Sequence, residues 1–219
     1  MKFHLKDPVS SLTHFAGMLL TLIAAPFLLV RAADNPDHIH LISMIVFLVS
    51  MVLLYGASAT YHAFDLSVRT NRVLRKMDHI MIFILIAGTY TPICLIPLSG
   101  RTGMILLAVI WGLAVLGILI KAFWITCPKW FSSVIYIAMG WVCLFSFPQL
   151  IPALGASFWW LLAGGILYTV GGVLYALKLS IFNKKHKYFG SHEIFHLFVM
   201  AGSFCHFMLM VLSLARMPL

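Results

Sequence analysis

Two short strings set histidines at helical spacing inside an otherwise apolar chain: Ser58-Ala59-Thr60-Tyr61-His62 and His192-Glu193-Ile194-Phe195-His196. Residues i and i+4 share a helix face, so His192 and His196 can reach one ion together. With His62 they form a three-imidazole donor set, which suits zinc, copper, iron or nickel. Zinc leads, because it accepts three protein ligands plus a water when the metal does chemistry. Asp78 offers three roles: a fourth ligand, a partner for the metal's water, or a charge at a helix start. Ser58 lies one turn before His62. Its hydroxyl can orient an imidazole, the water or the Asp78 carboxylate, or simply back-bond a helix carbonyl. Ionisable groups inside apolar segments are expensive and are read as functional. His192 to His196 is also a literal H-E-x-x-H string, which admits a metalloprotease reading with Glu193 as base. That rival needs a further carboxylate ligand on another helix, and it leaves Ser58 and His62 without a role.

The elements that would carry these residues follow from composition. Of 219 residues, 62% are hydrophobic and 10% charged, against roughly 25% charged in soluble domains. Seven stretches reach the roughly 20 apolar residues of a spanning helix: 9–32, 39–63, 79–98, 103–125, 131–153, 157–180 and 191–215. The expectation is an all-α, polytopic integral membrane protein, with one seven-helix domain over 1–219. The N-terminal apolar run is too long for a signal peptide and is read as a retained helix. Cys94, Cys127, Cys143 and Cys205 are scattered without a C-x-x-C pair, and are read as buried small hydrophobes.

The net charge of +9 could suggest nucleic acid, but its distribution points to a membrane. Twelve of fifteen Lys and Arg fall ahead of helix 1 or between helices 2–3, 4–5 and 6–7: Lys2, Lys6, Arg69, Arg72, Arg75, Lys76, Lys121, Lys129, Lys178, Lys184, Lys185 and Lys187. Only Arg31, Arg101 and Arg216 lie opposite. The asymmetry sets the N-terminus in the cytoplasm and the C-terminus outside. Anionic headgroups account for the basic loops, and Trp124, Trp130, Trp159 and Trp160 fit interfacial belts.

In that topology His62, Asp78, His192 and His196 all fall in the cytoplasmic leaflet, with Asp78 opening helix 3. His14 sits at the same level, either bonding a neighbouring helix or lying near the metal. His206 is ten residues past His196, about 15 Å deeper, and is read as a packing residue. His79 should point to a different face from Asp78, while His4, His38, His40 and His186 read as solvated. The pairs Gly164-Gly165 and Gly171-Gly172 permit close helix approach. Pro92 should kink helix 3, with Thr89 or Thr91 able to re-satisfy freed carbonyls.

These residues resemble the bacterial haemolysin III branch of the progestin and adipoQ receptor superfamily. The matching pieces are Ser58 to His62, Asp78-His79 followed by Ala87-Gly88-Thr89-Tyr90-Thr91-Pro92, Ala138-Met139-Gly140-Trp141, His192 to His196, and Thr13-His14-Phe15-Ala16-Gly17. One departure is Asp7-Pro8-Val9-Ser10-Ser11, where the family often has acidic residues and an Asn. It puts in doubt any role for an N-terminal acidic position. The resemblance implies zinc (Zn2+) on His62, His192 and His196, with Asp78 contacting the water on the zinc and Ser58 supporting it. It also implies hydrolysis of lipid amides and a role in membrane lipid homeostasis. The leading expectation is therefore a zinc-dependent hydrolase of a lipid amide or ester, with membrane lipids as partners and no nucleic acid. Asp78 would be the general base. The rivals are a zinc-stabilised sensor or scaffold and a haemolytic or pore-forming protein.

Overall fold

The computed structural model describes residues 5–177 and 189–219. Lys2, His4, Lys178, Lys184, Lys185, His186 and Lys187, named above, lie outside the described residues. All regular structure among those described is helical: α1 (Pro8–Ala33), α2 (His38–Ala63), α3 (Val68–Leu95), α4 (Arg101–Phe123), α5 (Lys129–Gly140), α6 (Phe147–Leu154), α7 (Phe158–Leu177) and α8 (Ser191–Leu212). Six helical segments are long and apolar enough to cross a membrane, the fifth of them running from Lys129 to Leu177.

On α1, side-chain polarity is reversed relative to a helix of a soluble bundle. Its buried stripe is Ser10, Ser11, His14, Gly17 and Thr21, while Leu20, Ile23, Phe27 and Val30 face outward. Lipid is as apolar as leucine, so large hydrophobes can face it and small or polar residues mediate helix contacts. Gly164 and Gly171 face α8, where an added Cβ would lie 2.3 Å from the His206 ring and 2.8 Å from Phe198. Gly165 and Gly172 turn instead to Trp141 and Ile137 of the neighbouring run. Gly88 presses α3 onto Ser50 of α2 in the same way.

Residues 129–177 form a hairpin rather than one rod. Residues Trp141–Ser146 tighten to a 3-10 turn, and Gly155 adopts φ +52, a left-handed conformation open to glycine. Beyond it α7 folds back antiparallel: Phe147 meets Phe158, and Trp141 Nε1 donates to Thr169 Oγ1 at 2.8 Å. In the bundle α1, α2, α3 and α4 pack in sequence, α5 touches α3 and α7, and α8 returns to contact both α7 and α1.

Several expectations are corrected. Helix 3 starts at Val68, not 79, because Ser67 Oγ caps it by accepting from Thr70 N at 3.2 Å. Its first turns carry Arg69, Arg72, Arg75 and Lys76, which hid it from an apolar-run search. Asp78 therefore stands ten residues inside α3, so the helix-start reading of its charge does not hold. Lys121 is not a loop cation for headgroups: it is 2% exposed, with Nζ on Cys127 Sγ and Ser132 Oγ. His40 is likewise not solvated. Its ring is fully buried, Nδ1 on Asp37 Oδ1 at 3.0 Å and Nε2 on the Met217 carbonyl at 2.8 Å. That contact, with backbone N–H groups of the α2 start, holds the half-buried Asp37 carboxyl below its ordinary range. Around Pro92, Thr89 and Thr91 bond the Leu85 and Ala87 carbonyls, not the Gly88 carbonyl that proline releases.

Candidate metal centre

The last turn of α2 leaves carbonyls without helical partners. The segment ahead of α1 supplies the donors: Asp7 N bonds the His62 carbonyl at 2.9 Å and Lys6 N the Ala63 carbonyl at 3.2 Å. This docking carries the Asp7 side chain to His62, where Oδ2 meets Nδ1 at 2.9 Å. Asp7 stands at the α1 N-cap position, yet its carboxylate makes no cap bond. It is committed to the histidine instead.

The first turn of α8 faces the same point. Ligand atoms of His62, His192 and His196 lie within 4.8 Å of one another, with His62 Nε2 and His192 Nε2 at 3.1 Å. His196 Nδ1 lies 3.2 Å from the Ser10 carbonyl. A carboxylate and a carbonyl can only accept, so each opposing Nδ1 carries the proton. Both His62 and His196 therefore turn a bare Nε2 lone pair to the cluster. Neutral imidazoles with acceptor-held tautomers are the donor chemistry that a divalent metal takes. The three residues fit a zinc-type ion, whose bonds to nitrogen are about 2.0–2.1 Å.

Asp78 and Ser58 stand beside this cluster but outside it. Asp78 is 8% exposed, its Oδ2 is 3.2 Å from His79 Nδ1, and it interacts electrostatically with His62. Ser58 is 1% exposed and makes no back-bond to a helix carbonyl. Its buried Oγ faces the Asp78 carboxylate, with which it interacts, and has no other partner among the described residues. His79, expected on another face, instead bonds Asp78 and the Arg75 carbonyl and lines the same cavity. Adjacent helical residues are 100° apart, and the ring is long enough to reach back across that angle.

His14 resolves toward the cluster. Its ring stacks on His196 at 3.6 Å between centroids, and neither of its buried nitrogens has a partner among the described residues. His206 stays apart, with Nε2 on the Leu161 carbonyl at 3.3 Å and its ring edge-on to Tyr168. A cavity of about 140 Å³ connects the two levels, lined from Asp78 to Ile93 on α3 and from His192 to His206 on α8. Fifteen residues of α3 amount to about 22 Å of helix. Isoleucine, leucine and aromatic side chains form most of its wall, with Ser58, Asp78, His192 and His196 at one end and Thr89, Thr169 and His206 farther along.

The family profile described as Haemolysin-III related matches residues 3–207. The chain belongs to the haemolysin III family. It is 36% identical to the Hemolysin-3 homolog of Bacillus subtilis (strain 168), covering 99% of this chain and 98% of the relative. Hemolysin-3 of Bacillus cereus is also 36% identical, over 92% and 89%. The Adiponectin receptor protein of Drosophila melanogaster is 26% identical over 89% of this chain and 48% of its own length. With its apolar helices, this haemolysin III family member is a multi-pass protein of the cell membrane, related to the progestin and adipoQ receptors.

Glu193, the base of the protease reading, is fully engaged elsewhere. Oε1 accepts from Ser10 Oγ at 2.6 Å and Oε2 from Gly190 N at 2.7 Å, closing the start of α8 against α1. Its work is to dock the helix that presents His192 and His196. Asp7, Ser10 and Thr13, whose Oγ1 lies 3.4 Å from His196 Nδ1, were quoted from the sequence but given no role at the site. A carboxylate just ahead of α1, in the leaflet of the histidines, was the available signal for Asp7. Because Asp7 fixes the His62 tautomer, Asp7→Ala is expected to weaken metal affinity about tenfold to a hundredfold. A competition titration against a chromogenic chelator measures this, and unchanged affinity would mean that Asp7 does not hold the ring.

Proposed function

We propose that this haemolysin III protein is a zinc-dependent hydrolase of a lipid amide or ester. Its metal would be held by His62, His192 and His196, and its acyl chain by the apolar cavity. The observation that carries the reading is the junction of three converging imidazoles with a long apolar cavity, where Ser58 and Asp78 sit buried. Bound zinc supplies Lewis acidity, polarising a carbonyl and acidifying water. Asp78 Oδ is the proton acceptor, held by His79 on one side and facing Ser58 on the other. Ser58 Oγ donates to the Asp78 carboxylate or to the substrate's polar head. The aliphatic wall takes up a hydrocarbon chain and leaves no space beside it for bulk water, which strengthens electrostatic interactions at the histidine end. A purely structural metal would fasten α2 to α8 but would have no use for a buried carboxylate and hydroxyl side by side on a cavity wall. Incubating purified protein with N-acyl and O-acyl lipids, with and without a chelator, tests the reading. Zinc-loaded protein that releases no fatty acid from either class would move the assignment to a sensor or scaffold.

The topology belongs to the same proposal. One domain spans the chain, and the hairpin turned at Gly155 counts as two spans, which makes seven. The twelve-to-three split of Lys and Arg then sets the N-terminus inside and the C-terminus outside. A reporter fused after Leu219 is expected outside, and one inserted near Lys184 in the cytoplasm. A cytoplasmic C-terminus would overturn the span count or its direction.

A further inference from the structure

The turn between α4 and α5 buries a second reactive cluster that the metal centre does not use. Lys121 Nζ lies 3.1 Å from Cys127 Sγ, Cys127 Sγ lies 3.2 Å from Ser132 Oγ, and Ser132 Oγ accepts from Lys121 Nζ. All three residues are buried, at 2%, 6% and 4% exposure. Beyond these, the ammonium stands over the face of Tyr136, 5.9 Å away. Among the described residues no carboxylate pairs with this lysine. Burying a cation against neutral partners is expensive, and an apolar side chain would close the turn without that penalty. The lysine is therefore explained better by reactivity than by packing.

Cys127 differs from the other three cysteines in two respects. It lies in a non-helical turn, one residue deep between exposed Thr126 and Pro128, whereas Cys94, Cys143 and Cys205 are buried within helical segments. It is also the one with an amine on its sulfur among the hydrogen bonds of the described residues. Cysteine reactivity concentrates where a cation adjoins the thiol and small oxidants can enter.

We infer that Lys121 and Cys127 form a peroxide-sensitive modification site that closes into a reversible sulfur–nitrogen link. In the first step Sγ attacks one oxygen of hydrogen peroxide, the O–O bond breaks, and water leaves with the thiol proton, giving the sulfenic acid. Nζ, after losing its extra proton, then attacks Sγ and displaces the hydroxyl as a second water. Overall, thiol, ammonium and peroxide give the Sγ–Nζ bond, two waters and one proton. Sulfur is oxidised by two electrons and peroxide is reduced by two. Ser132 Oγ holds Nζ on the sulfur throughout. The link converts a buried cation into a neutral group beside Tyr136, which bonds the His79 carbonyl and lines the cavity. It does not depend on the metal being bound.

The test is peptide mapping of the full-length protein in detergent after hydrogen peroxide, followed by blocking of free thiols. The expected product is a species joining Lys121 and Cys127, lighter by two hydrogen atoms, resistant to trypsin at Lys121 and restored by dithiothreitol. Cys94, Cys143 and Cys205 should be recovered as blocked thiols. Lys121→Met keeps the unbranched stem without the amine, and there Cys127 should instead be trapped by dimedone as sulfenic acid. A wild-type Cys127 recovered free, trapped by dimedone, or joined to another cysteine would overturn the inference. The wild-type map decides this by itself, whatever the folding of the variant.

Discussion

Asp78→Asn is expected to give a folded protein that holds its zinc and has lost turnover by about 10²–10⁴-fold. The substitution is nearly isosteric, and the amide can still meet His79 Nδ1, which lies 3.2 Å from the native carboxylate. Metal should remain, because the ligand cluster consists of His62, His192 and His196, and Asp78 is not a member. What disappears is the capacity to take a proton, since an amide is not protonated at neutral pH. Metal content and fatty-acid release are measured on the same preparation. Normal release from zinc-loaded Asp78→Asn protein would remove the carboxylate from the chemistry and leave the scaffold reading. Loss of zinc in step with loss of release would show instead that Asp78 serves the metal.

The second large effect is on metal content. His62→Ala, His192→Ala and His196→Ala should each lose most of the zinc, while His206→Ala should keep it. His206 bonds the Leu161 carbonyl and packs on Gly164, so its removal loosens the α7–α8 contact without touching the ligand set. The wild-type protein should also be destabilised by chelation, because the ion joins the end of α2 to the start of α8. A ligand present at a hundred times its Kd stabilises the state it binds by about 2.7 kcal/mol. His206→Ala should melt lower with or without metal and still respond to chelator. His192→Ala should melt at one temperature whether or not the chelator is added. A metal-free His206→Ala protein beside a loaded His192→Ala protein would place the site deeper in the bundle than the cluster lies.

The histidine cluster was legible in the sequence because the spacings that suggested it are local. The spacing of His192 and His196 lies within one turn of one helix, and the spacing of Ser58 and His62 within one turn of another. Charge counting assigned both turns to one leaflet, and the structure brings the three imidazoles within 4.8 Å of one another. The same locality explains the family resemblance, whose strings are short and helical. Helix boundaries were less legible where charge interrupts hydrophobicity. The basic start of α3 belongs to a helix capped at Ser67, and an apolar-run search cannot see it.

The support around the ligands was decided only by tertiary packing. Asp7 meets His62 because the chain ahead of α1 satisfies carbonyls freed at the end of α2, 55 residues away. Glu193 looked like a base by motif. It became a docking residue because Ser10 of α1 and the Gly190 N–H reached its two oxygens first. Lys121 was counted toward the charge asymmetry, yet its ammonium is turned inward onto Cys127 and Ser132 by the turn that follows α4. Sequence determines which residue types can face each other along one helix and which side of the membrane they favour. Which donors and acceptors find one another across helices is set by backbone groups left unpaired at helix ends, and these have partners only once the bundle has closed.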